Sequence, residues 1–158
     1  PQGEKEIFSI KKACKDACFI LESSLKAHGI EVIFHITQDV TINGYKTEYS
    51  QVILNLLSNA KDILIERQIK NPKIELEIKD GNHYALVKIK DNAGGVDASI
   101  IDKIFEPYFT TRHQTQGTGI GLYMSKNIIE RNMHGYINVT NVEDGALFTV
   151  KVDKEIKN

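Results

Sequence analysis

The sequence predicts an α+β fold in which helices and strands form a two-layer α/β sandwich. Its 158 residues match the length of one common domain. Stretches with apolar residues at every third or fourth position indicate helices, and shorter stretches with apolar residues at every second position indicate strands. Brief turns join neighbouring strands, so the strands are expected to pair as antiparallel hairpins and not through crossover helices.

Apolar spacing predicts four helices, of which the third is short. The first is expected to end at Gly29. The second must end before Pro72, because a residue that precedes proline is pushed out of helical dihedrals. Pro107 stops the third helix, and Gly119 opens the last. The predicted helices span residues 7–27, 47–69, 98–105 and 119–132.

Short runs rich in β-branched and aromatic residues predict the strands. Asn43-Gly44 and Asp80-Gly81-Asn82 are typical of the turns between them. The predicted strands span residues 31–36, 40–42, 73–79, 84–90, 136–140 and 146–152. The folded domain is expected over residues 7–153, with residues 1–6 as a linker and residues 154–158 as a C-terminal tail.

Charge and cysteine content argue against several classes of protein. Twenty Lys and Arg residues against twenty-one Asp and Glu residues leave a net charge of −1, whereas a non-specific nucleic-acid binder needs a dominant cationic face. Cys14 and Cys18 lie one helical turn apart and are expected to be packing residues in a reducing, cytoplasmic compartment. No apolar run approaches the ~20 residues that cross a membrane, so no membrane contact is expected from this domain.

Polar side chains occupy one face of the second predicted helix. At ~100° per residue, Gln51, Asn55, Asn59, Asp62 and Glu66 fall within an arc of about 80°, and the opposite arc is apolar. A solvated face usually carries Lys and Glu, whereas two asparagines one turn apart lower helix propensity and form no charge pairs. Taken alone, this face is equally consistent with an ordinary solvent-exposed surface and with a ligand site.

Two glycine-containing segments adjoin predicted elements. Residues 91–96 read Asp-Asn-Ala-Gly-Gly-Val and follow a strand; taken alone, they indicate an ordinary loop that uses glycine for positive φ. Gly117, Gly119 and Gly121 open the last helix, where unpaired backbone amides and the helix dipole favour an anion. Because this GxGxG run does not follow a strand, it does not match the dinucleotide fingerprint and indicates another kind of phosphate loop.

The order of these motifs resembles a known family. The chain presents the Asn/Asp helix face, the Asp-x-x-Gly-Gly turn, an aromatic block over residues 104–111 and the Gly-Thr-Gly-Ile-Gly-Leu run. This series is similar to the N, G1, F and G2 boxes of bacterial sensor histidine kinases, within the GHKL superfamily, over nearly the whole chain. Asn-Ala-x-Asp at residues 59–62 resembles the nitrogen-regulatory type. The resemblance implies the Bergerat ATP-binding fold, a mixed, mostly antiparallel sheet covered by helices on one face.

The resemblance implies ATP and Mg²⁺ as cofactors and assigns roles to the motifs. Asn59, together with Asn55, would hold Mg²⁺ and the phosphates through side-chain oxygens, which this ion prefers. Asp91 would accept a hydrogen bond from the amino group of adenine and oppose the carbonyl oxygen of guanine, which favours ATP over GTP. Phe105 and Phe109 would anchor the lid that follows them. The implied ATP site comprises Asn59, Asp62, Asp91, Ala93, Gly95, Val96, Ile104, Phe109, Thr110, Thr111, Gly117, Thr118, Gly119, Ile120, Gly121 and Leu122.

Two positions depart from the family pattern. Ala93 replaces the first glycine of the G1 box, so the turn is expected to use Gly94 instead or to tolerate a methyl group near the nucleotide. Asp62 stands where many members carry a lysine directed at the phosphates. Arg112, beside the F box, is the expected source of positive charge, and Lys61 is a weaker candidate because its side chain is expected to point away from that of Asp62. The implied catalytic residues are Asn55, Asn59 and Arg112.

A kinase of this type presents Mg·ATP for transfer of the γ-phosphoryl group to a histidine on a separate dimerisation and phosphoacceptor hairpin, and through it to a response regulator. None of the five histidines has the His-Glu/Asp-x-x-x-Pro context of the family's acceptor. The acceptor is therefore expected on a partner domain. The isolated catalytic domain is expected to be monomeric, since in this family the hairpin makes the dimer.

Other functions stay open on the sequence. A hydrolytic GHKL ATPase, as in chaperones, topoisomerases and mismatch-repair proteins, needs a glutamate one turn before the metal asparagine to activate water. That position holds Asn55, whose amide is no base at neutral pH. An anti-sigma serine kinase shares the ATP cradle, but the F box favours a histidine kinase. A non-catalytic module that binds nucleotide and signals its occupancy would use the same residues.

Overall fold

The computed structural model describes residues 3–36, 38–109 and 121–156, which form two sheets and four α-helices. The helices are α1 (Ile10–Ile20), α2 (Glu22–Ala27), α3 (Lys46–Glu66) and α4 (Gly121–Asn127). The strands are β1 (Glu6–Ser9), β2 (Glu31–Ile36), β3 (Thr41–Gly44), β4 (Lys73–Asp80), β5 (Tyr84–Asp91), β6 (Tyr136–Val142) and β7 (Gly145–Asp153).

The larger sheet has five strands in the order β2-β4-β5-β7-β6. The β2–β4 pair is parallel and the other three pairs are antiparallel, so the sheet is mixed and mostly antiparallel. Alternate strand residues, among them Leu76, Val87, Phe148 and Val150, are buried in one core cluster with the apolar side of α3. Burial on every second residue places the core on one face of the sheet, under the helices. The predicted two-layer sandwich is confirmed.

The prediction of one continuous first helix is wrong at both its start and its middle. Phe8 is buried in β1, which pairs with β3, and Ser9 keeps extended dihedrals as the N-cap of α1. Ser9 Oγ accepts a hydrogen bond from Lys12 N at 3.0 Å, so the helix begins at Ile10. Leu21 interrupts it with φ −92° and ψ 1°, which separates α1 from α2.

The predicted third helix is reduced to a single 3-10 turn at Ile101–Lys103. The side chain of Asp97 accepts hydrogen bonds from the amide and the hydroxyl of Ser99, both at 2.8 Å. This local side-chain turn competes with the first turn of a helix. It explains why helical structure begins at Ile101 and not at residue 98.

The last predicted helix is present as α4 and then changes pitch. Beyond Asn127 the chain forms a π-helical turn at Ile128–Asn132, and Met133 N donates to the carbonyl of Ile128 at 3.1 Å. Asn132 Nδ2 donates to Glu48 Oε2 in α3 at 3.1 Å, so the wider turn is tied to the neighbouring helix. Apolar spacing alone does not distinguish the two pitches over so few residues.

The packed domain extends beyond the predicted boundaries at both ends. The carbonyl of Lys154 accepts from Asn43 N at 2.7 Å, and Ile156 N donates to Asn43 O at 3.0 Å. The side chain of Ile156 is 1% exposed, and Lys5 Nζ donates to the carbonyl of this residue. The segment predicted as a tail therefore adds to the edge of β3, because Ile156 fills the core there.

Both cysteines are free thiols, with Cys14 buried and Cys18 half-buried. Burial raises the pKa of both, that of Cys18 to about 11, which keeps them protonated and unreactive. Over the three described ranges, the helices offer no apolar stretch that could traverse a bilayer.

Candidate functional site

The polar face predicted on α3 borders the start of α4. Asn55, Asn59 and Asp62 are half-buried on this face, whereas Gln51 and Glu66 are exposed. The opposite face is the apolar side of the helix. It is formed by Tyr49, Val52, Ile53, Leu56, Leu57, Ala60 and Leu64, all buried. The division of the helix into two faces is confirmed.

Asn55 joins α3 to α4. Its Nδ2 donates to Ser125 Oγ at 3.2 Å and to the carbonyl of Gly121 at 3.4 Å, and its Oδ1 accepts from Gln51 Nε2 at 2.8 Å. Ser125 is fully buried, so this contact provides a hydrogen-bond partner for a hydroxyl group that solvent cannot reach. The Asn55 amide therefore holds the first turn of α4 against the polar face.

Replacing Asn55 by alanine should lower the free energy of unfolding by about 1–2 kcal/mol, because Ser125 Oγ would remain buried without this partner. Urea denaturation measures the change. The control is Gln51→Ala, which removes an exposed amide from the same face and should cost less than about 0.5 kcal/mol. Equal midpoints for Asn55→Ala and the wild type would contradict a stabilising contact between the helices.

Lys61 and Asp62 form an ion pair, in contrast to the expectation that their side chains diverge. Lys61 Nζ lies 3.2 Å from Asp62 Oδ1 and donates to Ser24 Oγ at 3.3 Å. The two side chains are only 15% and 23% exposed. The long lysine side chain bends across the 100° that separates consecutive helix positions. The acid that replaces the family lysine is thus neutralised by its own neighbour.

Asp91 ends β5 as a buried acid with 4% exposure. Its Oδ1 accepts from Ala93 N at 2.9 Å and from Ala146 N at 3.4 Å. Within the described ranges, no hydrogen bond reaches Oδ2. Burial raises the pKa of Asp91, against the lowering effects of the two amides and of the Arg67 charge. Among the described residues, backbone amides therefore hold one oxygen of Asp91, and the other has no hydrogen-bond partner.

The turn after Asp91 uses Gly94, as expected from the alanine that precedes it. Gly94 has φ +100° and Gly95 has φ +86°, dihedrals that disfavour any side chain. A Cβ on Gly95 would also lie 2.8 Å from Asn141 Oδ1. Ala93 is 3% exposed, and its methyl group belongs to the hydrophobic core. The alanine that departs from the family pattern therefore does not block the turn with its methyl group.

Two side chains that the sequence did not single out hold this turn. Arg67 Nη1 donates to the carbonyls of Ala93 and Gly95, both at 2.8 Å. Asn141 accepts from Val96 N and donates to Val96 O, both at 2.7 Å. The partners are between 26 and 45 positions apart in the sequence. No periodic pattern indicates contacts of this kind.

The aromatic block packs against the core beside α4. The Phe105 ring meets the Phe148 ring edge-on at 6.1 Å, and Lys126 Nζ lies 5.4 Å from the Phe105 centroid. Ile104 is buried and Phe109 is half-buried. Val96 and Leu122 are also half-buried. The predicted site residues that lie outside the described ranges are Thr110, Thr111, Arg112, Gly117, Thr118, Gly119 and Ile120.

Residues 44–156 match the family described as histidine kinase-, DNA gyrase B-, and HSP90-like ATPase. The two-component sensor PprA of Pseudomonas aeruginosa is 35% identical over 144 residues, which cover 89% of this chain and 16% of PprA. Sporulation kinase A of Bacillus subtilis is 31% identical over 153 residues, which cover 96% of this chain and 24% of that kinase. The chain thus spans less than a quarter of the length of either relative.

Solved structures show the same architecture. The nucleotide-free catalytic domain of histidine kinase ThkA superposes with a TM-score of 0.86 at 28% identity, and the match covers 97% of both chains. ThkA in complex with the response regulator protein TrrA matches with a TM-score of 0.79 at 25% identity, over 95% of this chain and 42% of that one.

Proposed function

This chain belongs to the histidine kinase-, DNA gyrase B-, and HSP90-like ATPase family, and we propose that it is the catalytic domain of a two-component sensor kinase. In this proposal it binds Mg·ATP and transfers the γ-phosphoryl group to a histidine on a separate helical hairpin. The bond between the γ-phosphorus and the bridging oxygen breaks, a bond to an imidazole nitrogen forms, and ADP leaves. A response regulator then takes the phosphoryl group from the hairpin.

The observation that carries the proposal is the half-satisfied carboxylate of Asp91 beside a two-glycine turn. One oxygen accepts from the backbone amides of Ala93 and Ala146 and is held in place. The second oxygen can accept from the exocyclic amino group of adenine. The same oxygen would face the carbonyl oxygen of guanine, acceptor against acceptor, and would exclude it.

The polar face of α3 fits a magnesium ion better than a softer metal. Asn59 and Asn55 offer carboxamide oxygens, which are hard ligands, and Mg²⁺ usually completes its shell with water and phosphate oxygens. Asn55 Oδ1 accepts from Gln51 Nε2, and the family resemblance assigns the ion first to Asn59, which we take as the principal proposed ligand. When bound, the ion would neutralise phosphate charge during transfer.

The proposed phosphate site lies where α4 begins. Backbone amides at the start of a helix bind anions, which suits Gly117, Gly119 and Gly121. Because Lys61 is paired with Asp62, its charge is already compensated. Arg112 therefore remains the proposed cation for the γ-phosphate.

Hydrolysis by this chain alone is expected to be slow. A GHKL ATPase needs a base one turn before the metal ligand, and Asn55 has no basic oxygen there. Its amide is also engaged with Ser125 and Gln51. The chain is consequently better suited to hold ATP for an external acceptor than to activate water.

The proposed function is tested by mixing this domain with γ-labelled ATP and a purified phosphoacceptor hairpin domain. Label that appears on the hairpin and is labile to acid but stable to base would identify phosphohistidine. The expected result is label on the hairpin and none on this domain. ATP binding without transfer would instead favour a nucleotide-sensing module, and rapid release of inorganic phosphate without the hairpin would favour a hydrolytic ATPase.

A further inference from the structure

Arg67 connects two parts of the proposed site that are far apart in sequence. It is the C-cap of α3, where its backbone N–H donates to the carbonyl of Ile63 at 3.0 Å. Its side chain extends to the turn after β5, and a single nitrogen, Nη1, serves the carbonyls of Ala93 and Gly95. The helix that carries the asparagine face and the turn that carries Asp91 are thereby joined by one guanidinium.

We propose that Arg67 is a positioning residue for the nucleotide, which sets the place of Asp91 relative to the asparagine face of α3 and so controls discrimination between adenine and guanine. This inference rests on the proposed function. Arg67 acts through Asp91 and the turn, and it needs no contact of its own with ATP.

The Arg67 side chain holds a stretch of backbone that has high intrinsic conformational freedom. Its two acceptor carbonyls flank Gly94, and two consecutive glycines have more conformational freedom than any other pair. A turn that is ordered before binding avoids the entropic cost of ordering on the ligand. On the other side, the Gly94 amide donates to the carbonyl of Asp144 at 2.9 Å. Removing Arg67 would release one of these two supports.

Arg67 also changes the charge balance at Asp91. In the described part of the chain, two charged side chains act on this carboxylate, Arg67 from the end of α3 and Asp144 from the turn between β6 and β7. The cation lowers the pKa of Asp91 and the anion raises it. Lys90 Nζ lies 3.9 Å from Asp144 Oδ1, so the anion is partly compensated. Arg67 therefore favours the ionised form of Asp91, in which both carboxylate oxygens accept hydrogen bonds and neither donates.

The test compares Arg67→Ala and Arg67→Lys with the wild type by calorimetric titration of ATP and GTP with Mg²⁺, between about pH 5 and about pH 8. We expect Arg67→Ala to weaken ATP binding about tenfold and GTP binding less, because the two-glycine turn loses two charge-assisted hydrogen bonds. In Arg67→Ala, the loss of ATP binding on acidification should begin at a higher pH than in the wild type, because the cation that lowers the pKa of Asp91 is gone. Arg67→Lys keeps the charge, so it should restore the pH profile and recover the ATP preference only in part.

Two controls separate positioning from folding. Lys70→Ala removes an exposed cation three positions further along and should leave the ATP preference and the pH profile unchanged. Thermal unfolding of each variant reports whether the fold is intact. Equal loss of ATP and GTP binding by Arg67→Ala, with no change in the pH profile, would overturn the inference and leave a structural role. A wild-type domain that binds neither nucleotide would overturn the proposed function, and the inference with it.

Discussion

Replacing Asn59 by alanine should abolish the Mg²⁺-dependent part of ATP binding. The carboxamide oxygen of Asn59 is the principal proposed protein ligand of the ion, because the family resemblance assigns the metal to this position and the side chain is half-buried on the polar face of α3. Wild-type ATP affinity should fall steeply when EDTA removes the metal. In Asn59→Ala, we expect affinities with and without Mg²⁺ that agree within about twofold, since the ion can no longer link protein to phosphate.

Calorimetry with and without EDTA measures this ratio, and Asn138→Ala is the matched control. Asn138 lies on β6 next to buried Ile137, so its side chain points to the sheet face opposite the helices. The control should retain the wild-type dependence on Mg²⁺. A variant that keeps oxygen at the site, Asn59→Asp, should retain part of the dependence. An Asn59→Ala domain that still needs Mg²⁺ as strongly as the wild type would place the metal elsewhere.

The elements that the sequence predicts well are those with a long periodic signal. The polar and apolar faces of α3 follow from residue spacing over 21 residues, and burial of Leu56 and Leu57 on one side confirms them. The alternating strands β4, β5 and β7 were placed within one or two residues. In such elements local pattern and tertiary packing agree, because the same face that is apolar is the face that the core needs.

The predicted helix boundaries are wrong where a local hydrogen bond overrides the spacing of the apolar residues. Ser9 caps α1 and leaves Phe8 in a strand, although both residues lie within the segment whose apolar spacing predicts a helix. A serine directly before the helix start is an N-cap signal that was available in the sequence. Similarly, the hydrogen bond from Ser99 N to the Asp97 side chain occupies the predicted start of the next helix, of which only a 3-10 turn forms.

The supports of the candidate site could not be predicted, because they come from distant parts of the chain. Gly145 is the clearest case. A Cβ at this position would lie 1.7 Å from the carbonyl oxygen of Asp91, so only glycine lets the β6–β7 turn approach β5. In the sequence it is an ordinary hairpin glycine. Motif spacing therefore located the groups that are proposed to touch ATP, whereas the structure was needed to find what holds them.

Replacing Asp91 by asparagine should reverse the preference for adenine. The carboxamide can keep its oxygen toward the amides of Ala93 and Ala146, which turns its NH₂ group toward the base. A donor would then face the amino group of adenine, while guanine would offer its carbonyl oxygen. Loss of a hydrogen bond to a charged group costs about 1.5–3 kcal/mol, or roughly a 10- to 150-fold loss of ATP affinity. Competition titrations with ATP and GTP measure the ratio, and Asp102→Asn, an exposed carboxylate, is the control.

The same substitution should leave the nucleotide-free domain as stable as the wild type or more so. Burial raises the folded-state pKa of Asp91 above its value in the unfolded chain, so the ionised carboxylate opposes folding. This penalty is fully present above the folded-state pKa, and it disappears as the pH falls below the unfolded value of about 3.9. Thermal unfolding near neutral pH should therefore give Asp91→Asn an equal or higher midpoint, and the difference should shrink on acidification. A lower midpoint with unchanged ATP preference would mean that the acid serves the fold and does not select the base.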